Sequence, residues 1–170
     1  LPSVFGSISA LRVVGQTCFF APLDQCGSQK QMTEKIKTNS RRAAFDSLRK
    51  IEESGRYSNL EIDSTLEKSE MNQADRGLYT RLVYGVTERR LTLDYIISQY
   101  SRMSADKLDH DVLTALRLGM YQMMFMDRIP DHSAVNESVE LVSRTKSGYV
   151  NAVLRSFIRG GKKYTLPENE

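Results

Sequence analysis

Leu113–Val142 reads LTALRLGMYQMMFMDRIPDHSAVNESVELV, and after a short basic connection Gly148–Arg159 reads GYVNAVLRSFIR. Leu113, Leu116, Leu118, Met120, Met123, Met124, Phe125 and Met126 are apolar nearly all round a helix. A helix of that kind belongs at the centre of a helical bundle, because it has no polar face to give to water. Ile129-Pro130-Asp131 stops it, and a new amphipathic helix starts at Asp131 or Ser133, with Val135, Val139 and Val142 on one face. Val150, Val153, Leu154, Phe157 and Ile158 then recur at i, i+3, i+4, i+7 and i+8, which predicts a third helix with Gly148 preceding it. None of the three carries catalytic chemistry of its own.

Working toward the start of the chain, helix follows helix. Asn39 or Ser40 caps a helix that runs to about Ser54 and ends at Gly55, with Ala44, Leu48 and Ile51 as its apolar stripe. A short helix follows around Leu60–Lys68 on Ile62 and Leu66. Asn72 caps another, with Leu78, Leu82, Val83 and Val86 turned inward. Near Arg89-Arg90 the chain breaks or bends, and Leu93, Ile96, Ile97 and Tyr100 form the next stripe. Ser104 is expected to cap the long helix that leads into the Met-rich stretch. No alternating strand with hairpin chemistry occurs from Asn39 onward. The expectation is an all-α fold of about six or seven helices.

Residues 1–31 differ from the rest. They lack an initiating Met, are poor in charge and show no sustained period, whereas Met32 is followed by TEKIKTNSRRAAF. They read as a non-native or disordered leader. The domain then covers 32–160, and 161–170 reads as a tail or the start of a linker. At 170 residues, with 40% apolar and 26% charged residues, the chain suits one domain with a real core. A net charge of +3 permits a basic face for nucleic acid without demanding one. Cys18 and Cys26 fit neither a redox pair nor a zinc site, and a reduced cytoplasmic setting is the default. The apolar runs do not suggest a membrane span.

LRLGMYQMMFMDRIP, AVNESVEL and VNAVLR, in this order, resemble the NusB-like RNA-binding domain. The chain looks most like the version fused to the front of bacterial 16S rRNA cytosine-C5 methyltransferases, and TRLVYGVTERRLTLDYII strengthens that likeness. Arg155 stands where free-standing antitermination factors of the family tend to carry an acidic residue and the enzyme-fused domains an Arg. The resemblance runs from about Ser40 to Arg159 and implies two packed helical sub-bundles. It departs from the family at SRTKS, a shorter link than the usual Gly-containing connection, which puts the contact of that loop in doubt.

Read from residues alone, Lys35, Lys37, Arg41 and Arg42 are either a phosphate-binding arm or a solvated helix start whose cations oppose the helix dipole. The resemblance implies the first, with Arg41 and Arg42 inheriting the family's RNA contact. Arg155, Arg159, Lys162 and Lys163 form either a second basic strip or a stabilising cationic helix end. Arg81, Arg89 and Arg90 read as surface charge with Glu88 and Asp94 as partners rather than as a patch for RNA or the catalytic domain, and the Met cluster as core rather than as an adaptable binding surface. His110 and His132 read as surface positions, with no third ligand at a metal-binding spacing. Asn136 and Glu137 suit the helix start or a contact to a neighbouring helix.

A cytosine-C5 methyltransferase needs an attacking thiolate and a Gly-rich turn between strand and helix for its methyl donor. Neither is expected after Cys26, so no catalytic residue, cofactor or metal site is assigned to this chain. S-adenosylmethionine is implied only for the parent enzyme, and the chain reads as a fragment or cut domain. Implied partners are RNA, 16S rRNA above all, the chain's own downstream methyltransferase domain, and a ribosomal protein if the chain is instead a free-standing antitermination factor. A third reading is a helical protein-interaction module without RNA affinity.

Overall fold

The computed structural model describes residues 39–165. Among them are seven α-helices and no strand: α1 (Ser40–Ser54), α2 (Ser58–Lys68), α3 (Gln73–Glu88), α4 (Arg90–Tyr100), α5 (His110–Phe125), α6 (Asp131–Glu140) and α7 (Arg144–Arg159), with a single 3₁₀ turn at Ala105–Lys107. Helices α1–α3 pack together as one bundle and α4–α7 as a second. Helix α5 belongs to the second but also touches α1 and α3. Every residue of α5 from Val112 to Met123 is buried, as expected of a helix without a polar face. No helix of the described residues is long and apolar enough to cross a membrane.

The local signals act where the sequence places them. The Asn39 side chain accepts from Arg41 N, and Asn72 from Asp75 N, so each first turn has an orphan donor satisfied. Gly55 closes α1 at φ 63°, a left-handed conformation that glycine takes without penalty. Arg89 alone separates α3 from α4. On α7, Val150, Val153, Leu154 and Phe157 are buried, and Phe157 meets Tyr100 of α4 edge-on with ring centroids 5.2 Å apart. Gly85 of α3 faces the Tyr121 ring of α5 so closely that a Cβ there would overlap the ring.

Three boundaries differ from the sequence expectation. Ser104 precedes the 3₁₀ turn, and α5 is capped by Asp109, whose carboxylate accepts from Asp111 N. Helix α7 starts at Arg144, not after Gly148. Ser143 takes extended dihedrals and its carbonyl accepts from Ser147 N at 3.0 Å. Gly148 lies exposed in the second turn with open space where a Cβ would stand, so nothing in the packing calls for glycine. Most of SRTKS is therefore helix rather than link. Met124, Phe125 and Met126 pack against the core only in part, because α5 ends at Phe125 on the domain's edge.

Candidate nucleic-acid interface

Arg41 and Arg42 are adjacent in the chain and about 100° apart around α1, and that angle gives them different surroundings. Arg41 points inward. Its Nε donates to Gln122 Oε1 at 2.7 Å, its Nη1 lies 4.0 Å from the Glu137 carboxylate, and its side chain is 17% exposed. Gln122 is itself buried, its amide donating to Leu118 O. Arg41 thus ties α1 to α5 and α6, and Glu137 makes the contact to a neighbouring helix that its position suggested.

Arg42 points outward. Its Nη1 donates to Leu141 O at 3.0 Å, its Nε to Asp46 at 3.3 Å, and the guanidinium sits 5.4 Å from the Phe45 ring centre. Half of the side chain, 51%, stays exposed. By taking the carbonyl of Leu141, Arg42 caps the C-terminal end of α6 and brings the α1 start against the α6–α7 junction. Exposed Arg144 opens α7 three residues further on. Lys35 and Lys37 lie outside the described residues.

Arg155 and Arg159 sit on the other side. Arg155 Nε donates to Asn151 Oδ1 at 2.7 Å. The two arginines rim a groove of about 400 Å³ between α6 and α7, floored by Val135 and Ile158 and completed by Asp131, His132 and Asn136. Asp131 is matched by Lys162, whose Nζ lies 2.5 Å from its Oδ1. The groove adjoins the first turns of α6 and Arg42 its last residue, so the two cationic groups stand roughly 15 Å apart, the length of that helix. Lys163 is exposed just beyond.

Arg81, Arg89 and Lys146 are committed to the fold. Arg81 Nη2 donates to Phe125 O at 2.8 Å, and Arg89 stacks 4.4 Å from the Phe125 ring centre, so both serve the end of α5. The partners expected for this group are not the ones found. Arg90 lies 3.9 Å from Glu52, and Asp94 is taken by Arg117. Lys146 bonds Asp109 at 2.7 Å and Asp111 at 3.1 Å. Those hydrogen bonds raise the Lys146 pKa, and the bond from Lys146 lowers that of Asp109.

Arg117 has no counterpart among the residues singled out from the sequence. It lies in α5, 5% exposed, with Nε and Nη2 on the Asp94 carboxylate at 2.6 and 2.8 Å. Its Nη1 reaches both oxygens of Glu52 at 3.0 Å. Burial pushes its pKa down, but the bonds and charge of Asp94 and then of Glu52 outweigh that, and the net shift is upward. The one available signal was a lone arginine inside an otherwise apolar helix. Among the described residues no group of three His, Cys, Asp or Glu side chains is arranged to hold a metal ion.

Seven helices in two bundles, with a cationic helix start set against the α6–α7 junction, define the class of fold. Residues 38–159 match the NusB family, and the chain belongs to that family. A "Probable ribosomal RNA small subunit methyltransferase B" of Bacillus subtilis is 36% identical over 129 residues, covering 74% of this chain and 29% of the relative. The part covered is the N-terminal part. The chain thus spans under a third of that relative's length. A "Transcription antitermination protein NusB" of Acetivibrio thermocellus is 32% identical over 104 residues, 58% of this chain and 72% of the relative. Among solved structures, NusB in the crystal structure of "Antitermination Factors NusB and NusE in complex with dsRNA" superposes with a TM-score of 0.66 at 21% identity, over 72% of this chain and 95% of that one. Thermotoga maritima NusB superposes with a TM-score of 0.64 at 23% identity, over 73% and 93%. At those identities the superpositions establish the fold.

Proposed function

We propose that this domain binds RNA at the front of a ribosomal RNA small-subunit methyltransferase. It holds 16S rRNA for a cytosine-C5 transfer that a downstream S-adenosylmethionine-dependent domain performs in the cytoplasm. The observation that carries this reading is the 36% identity over 74% of the chain to the N-terminal part of such an enzyme. Arg155, the residue type of the enzyme-fused branch, supports it. Phosphate is the group the exposed cations suit, since a guanidinium offers paired donors to it. Arg42 and Arg144 form the primary contact, with Lys35 and Lys37 leading into it. Arg41 holds α1 in place behind them and adds its charge from the second layer. Arg155 and Arg159 form a second contact. The roughly 15 Å between the two equals about four stacked nucleotides at ~3.4 Å each.

Binding of rRNA hairpins to the chain, measured as salt is raised, tests this. Removing one phosphate-binding cation should lower the slope of log K against log salt by about 0.7–0.9, so Arg42→Ala/Arg144→Ala and Arg155→Ala/Arg159→Ala should each flatten it. Unchanged affinity and slope in both variants would reject the assignment of these faces. No salt-dependent binding by the parent chain would leave a protein-interaction module. Strong RNA binding that appears only with an added ribosomal protein would favour the antitermination reading, to which the 32% identical antitermination protein belongs.

A further inference from the structure

Two helix faces with the same pattern meet at the groove between α6 and α7. His132, Val135 and Asn136 stand at i, i+3 and i+4 on α6, and Arg155, Ile158 and Arg159 at the same spacing on α7. Each face sets an aliphatic residue between two polar ones. Val135 is buried and Ile158 half-buried, so the floor is closed and apolar. The rim is polar and uncommitted. Asn136 and His132 are exposed, and neither side chain has a hydrogen bond among the described residues. Arg155 spends its Nε on the Asn151 amide, which leaves its two Nη groups to the groove. Among the described residues neither Arg155 nor Arg159 is paired with a carboxylate.

Asp131 also lines the groove, and an open carboxylate there would repel an anion. The chain neutralises it through a strained turn. Beyond α7, Gly161 and Lys162 take φ values of 70° and 56°, and Lys162 N donates back to Phe157 O at 3.0 Å. A residue with a Cβ adopts that conformation only at a cost. The turn delivers the Lys162 ammonium to Asp131 Oδ1 at 2.5 Å and to Met123 O at 3.3 Å. With Asp131 matched, the two arginines give the groove its sign.

A volume of about 400 Å³ lies at the small end of ligand pockets, which run roughly 300–1,000 Å³. It has room for one flat ring system and not for a duplex. An apolar floor suits the face of a base, and a side-chain amide offers a donor and an acceptor to its edge. Guanidinium groups suit the flanking phosphates. Stacked bases of a duplex keep their faces to each other, whereas those of loops and bulges can be splayed out. Resting on the RNA-binding reading above, we propose that this groove takes one unpaired base. Its face lies on Val135 and Ile158, its edge meets Asn136, and its phosphates meet Arg155 and Arg159. Lys162 acts through Asp131, keeping that carboxylate from repelling the phosphates.

Fluorescence anisotropy of short labelled RNA duplexes with the 170-residue chain at low salt tests this. The set is a fully paired duplex, the same duplex with a single bulged A, C, G or U, and one with an abasic bulge. At least one bulged base should bind about tenfold tighter than the abasic bulge, the lower part of what a paired contact to one base edge provides. Asn136→Ala should erase most of that gain, with circular dichroism to confirm the fold. Lys162→Ala should weaken the preferred bulge several-fold, and adding Asp131→Asn should restore it, which would not mend a merely loosened turn. A loss that Asp131→Asn leaves in place would overturn the role of Lys162. Equal affinity for every bulge, abasic included, would overturn the base site while RNA binding itself stands. No binding to any of the duplexes would reject the RNA-binding reading, and the base site with it.

Discussion

Arg117 and Arg42 carry the same guanidinium to opposite ends. Arg117 lies in the core with each of its nitrogens on a carboxylate, two residues supplying them from α1 and α4. Arg42 lies on the surface, where one bond goes to a helix-end carbonyl and half the side chain faces water. A buried ion pair has left its hydration behind and is held by its partners, so it fixes helices and is closed to a ligand. An exposed cation whose charged partner, Asp46, is itself exposed keeps its charge available at little cost to the fold. Charge count therefore says little about function here, and the depth at which a charge and its partners sit says much.

The comparison breaks most visibly at Arg117. Arg117→Ala strands Glu52 and Asp94 without their main counterion, and the loss of a buried partner costs about 3–5 kcal/mol. Urea denaturation should show that loss as a lower midpoint, while RNA affinity of the still-folded fraction stays at the parent value. A midpoint shift under about 1 kcal/mol, the range of an exposed pair, would mean that the cluster is solvated rather than buried.

Arg41 and Arg42 sharpen the same contrast within one turn of helix. Arg41→Ala leaves the buried Gln122 Oε1 without its donor, an omission worth about 1–3 kcal/mol in stability. Arg42→Ala should change stability by less than about 1 kcal/mol and yet lower RNA affinity more than Arg41→Ala does. Denaturation and hairpin binding on the two single variants give four numbers. Equal effects of both variants in both assays would erase the distinction.

What the sequence made legible was whatever a short window contains. Asn39, Gly55 and Asn72 act on the residues beside them, and the apolar run from Leu113 states its own burial. The Arg117 cluster could not be read that way, because Glu52 is 65 residues distant and Asp94 is 23. The same reason hid the fate of Arg41, whose partner Gln122 is 81 residues away. Periodicity told that the start of α1 is basic but not which arginine faces out, since the turn is basic on both sides and the inward one depends on α5. At α7, Gly148 resembles a punctuation mark in the sequence, but Ser143 is the residue that opens the helix. A glycine with no packing demand on it is tolerated in an exposed turn at roughly 1 kcal/mol, less than the buried face of Val150, Val153, Leu154 and Phe157 returns.

The smallest expected effect belongs to the surface pair at the start of α5, where charge serves the fold without being buried. Hydrogen bonding from Lys146 lowers the Asp109 pKa below 3.8, and bonding to Asp109 raises that of Lys146 above 10.5. A depressed carboxylate stabilises the fold in full above its unfolded pKa and loses that contribution as pH falls through the folded value. A raised amine does the reverse, contributing in full below its unfolded pKa and losing it as pH rises through the folded one. The pair should thus give a flat contribution across neutral pH that decays at both ends. Asp109→Asn keeps a side-chain oxygen for the cap on Asp111 N but removes the charge, so it should reduce the slope of the urea midpoint as pH falls below the ordinary carboxylate range and change the neutral plateau little. Asp109 is exposed and Lys146 half-buried, so the pair is screened, and added salt should shrink the difference between parent and variant. An acid limb identical in the two proteins would leave the surface pair with a geometric role in capping α5 and no electrostatic one.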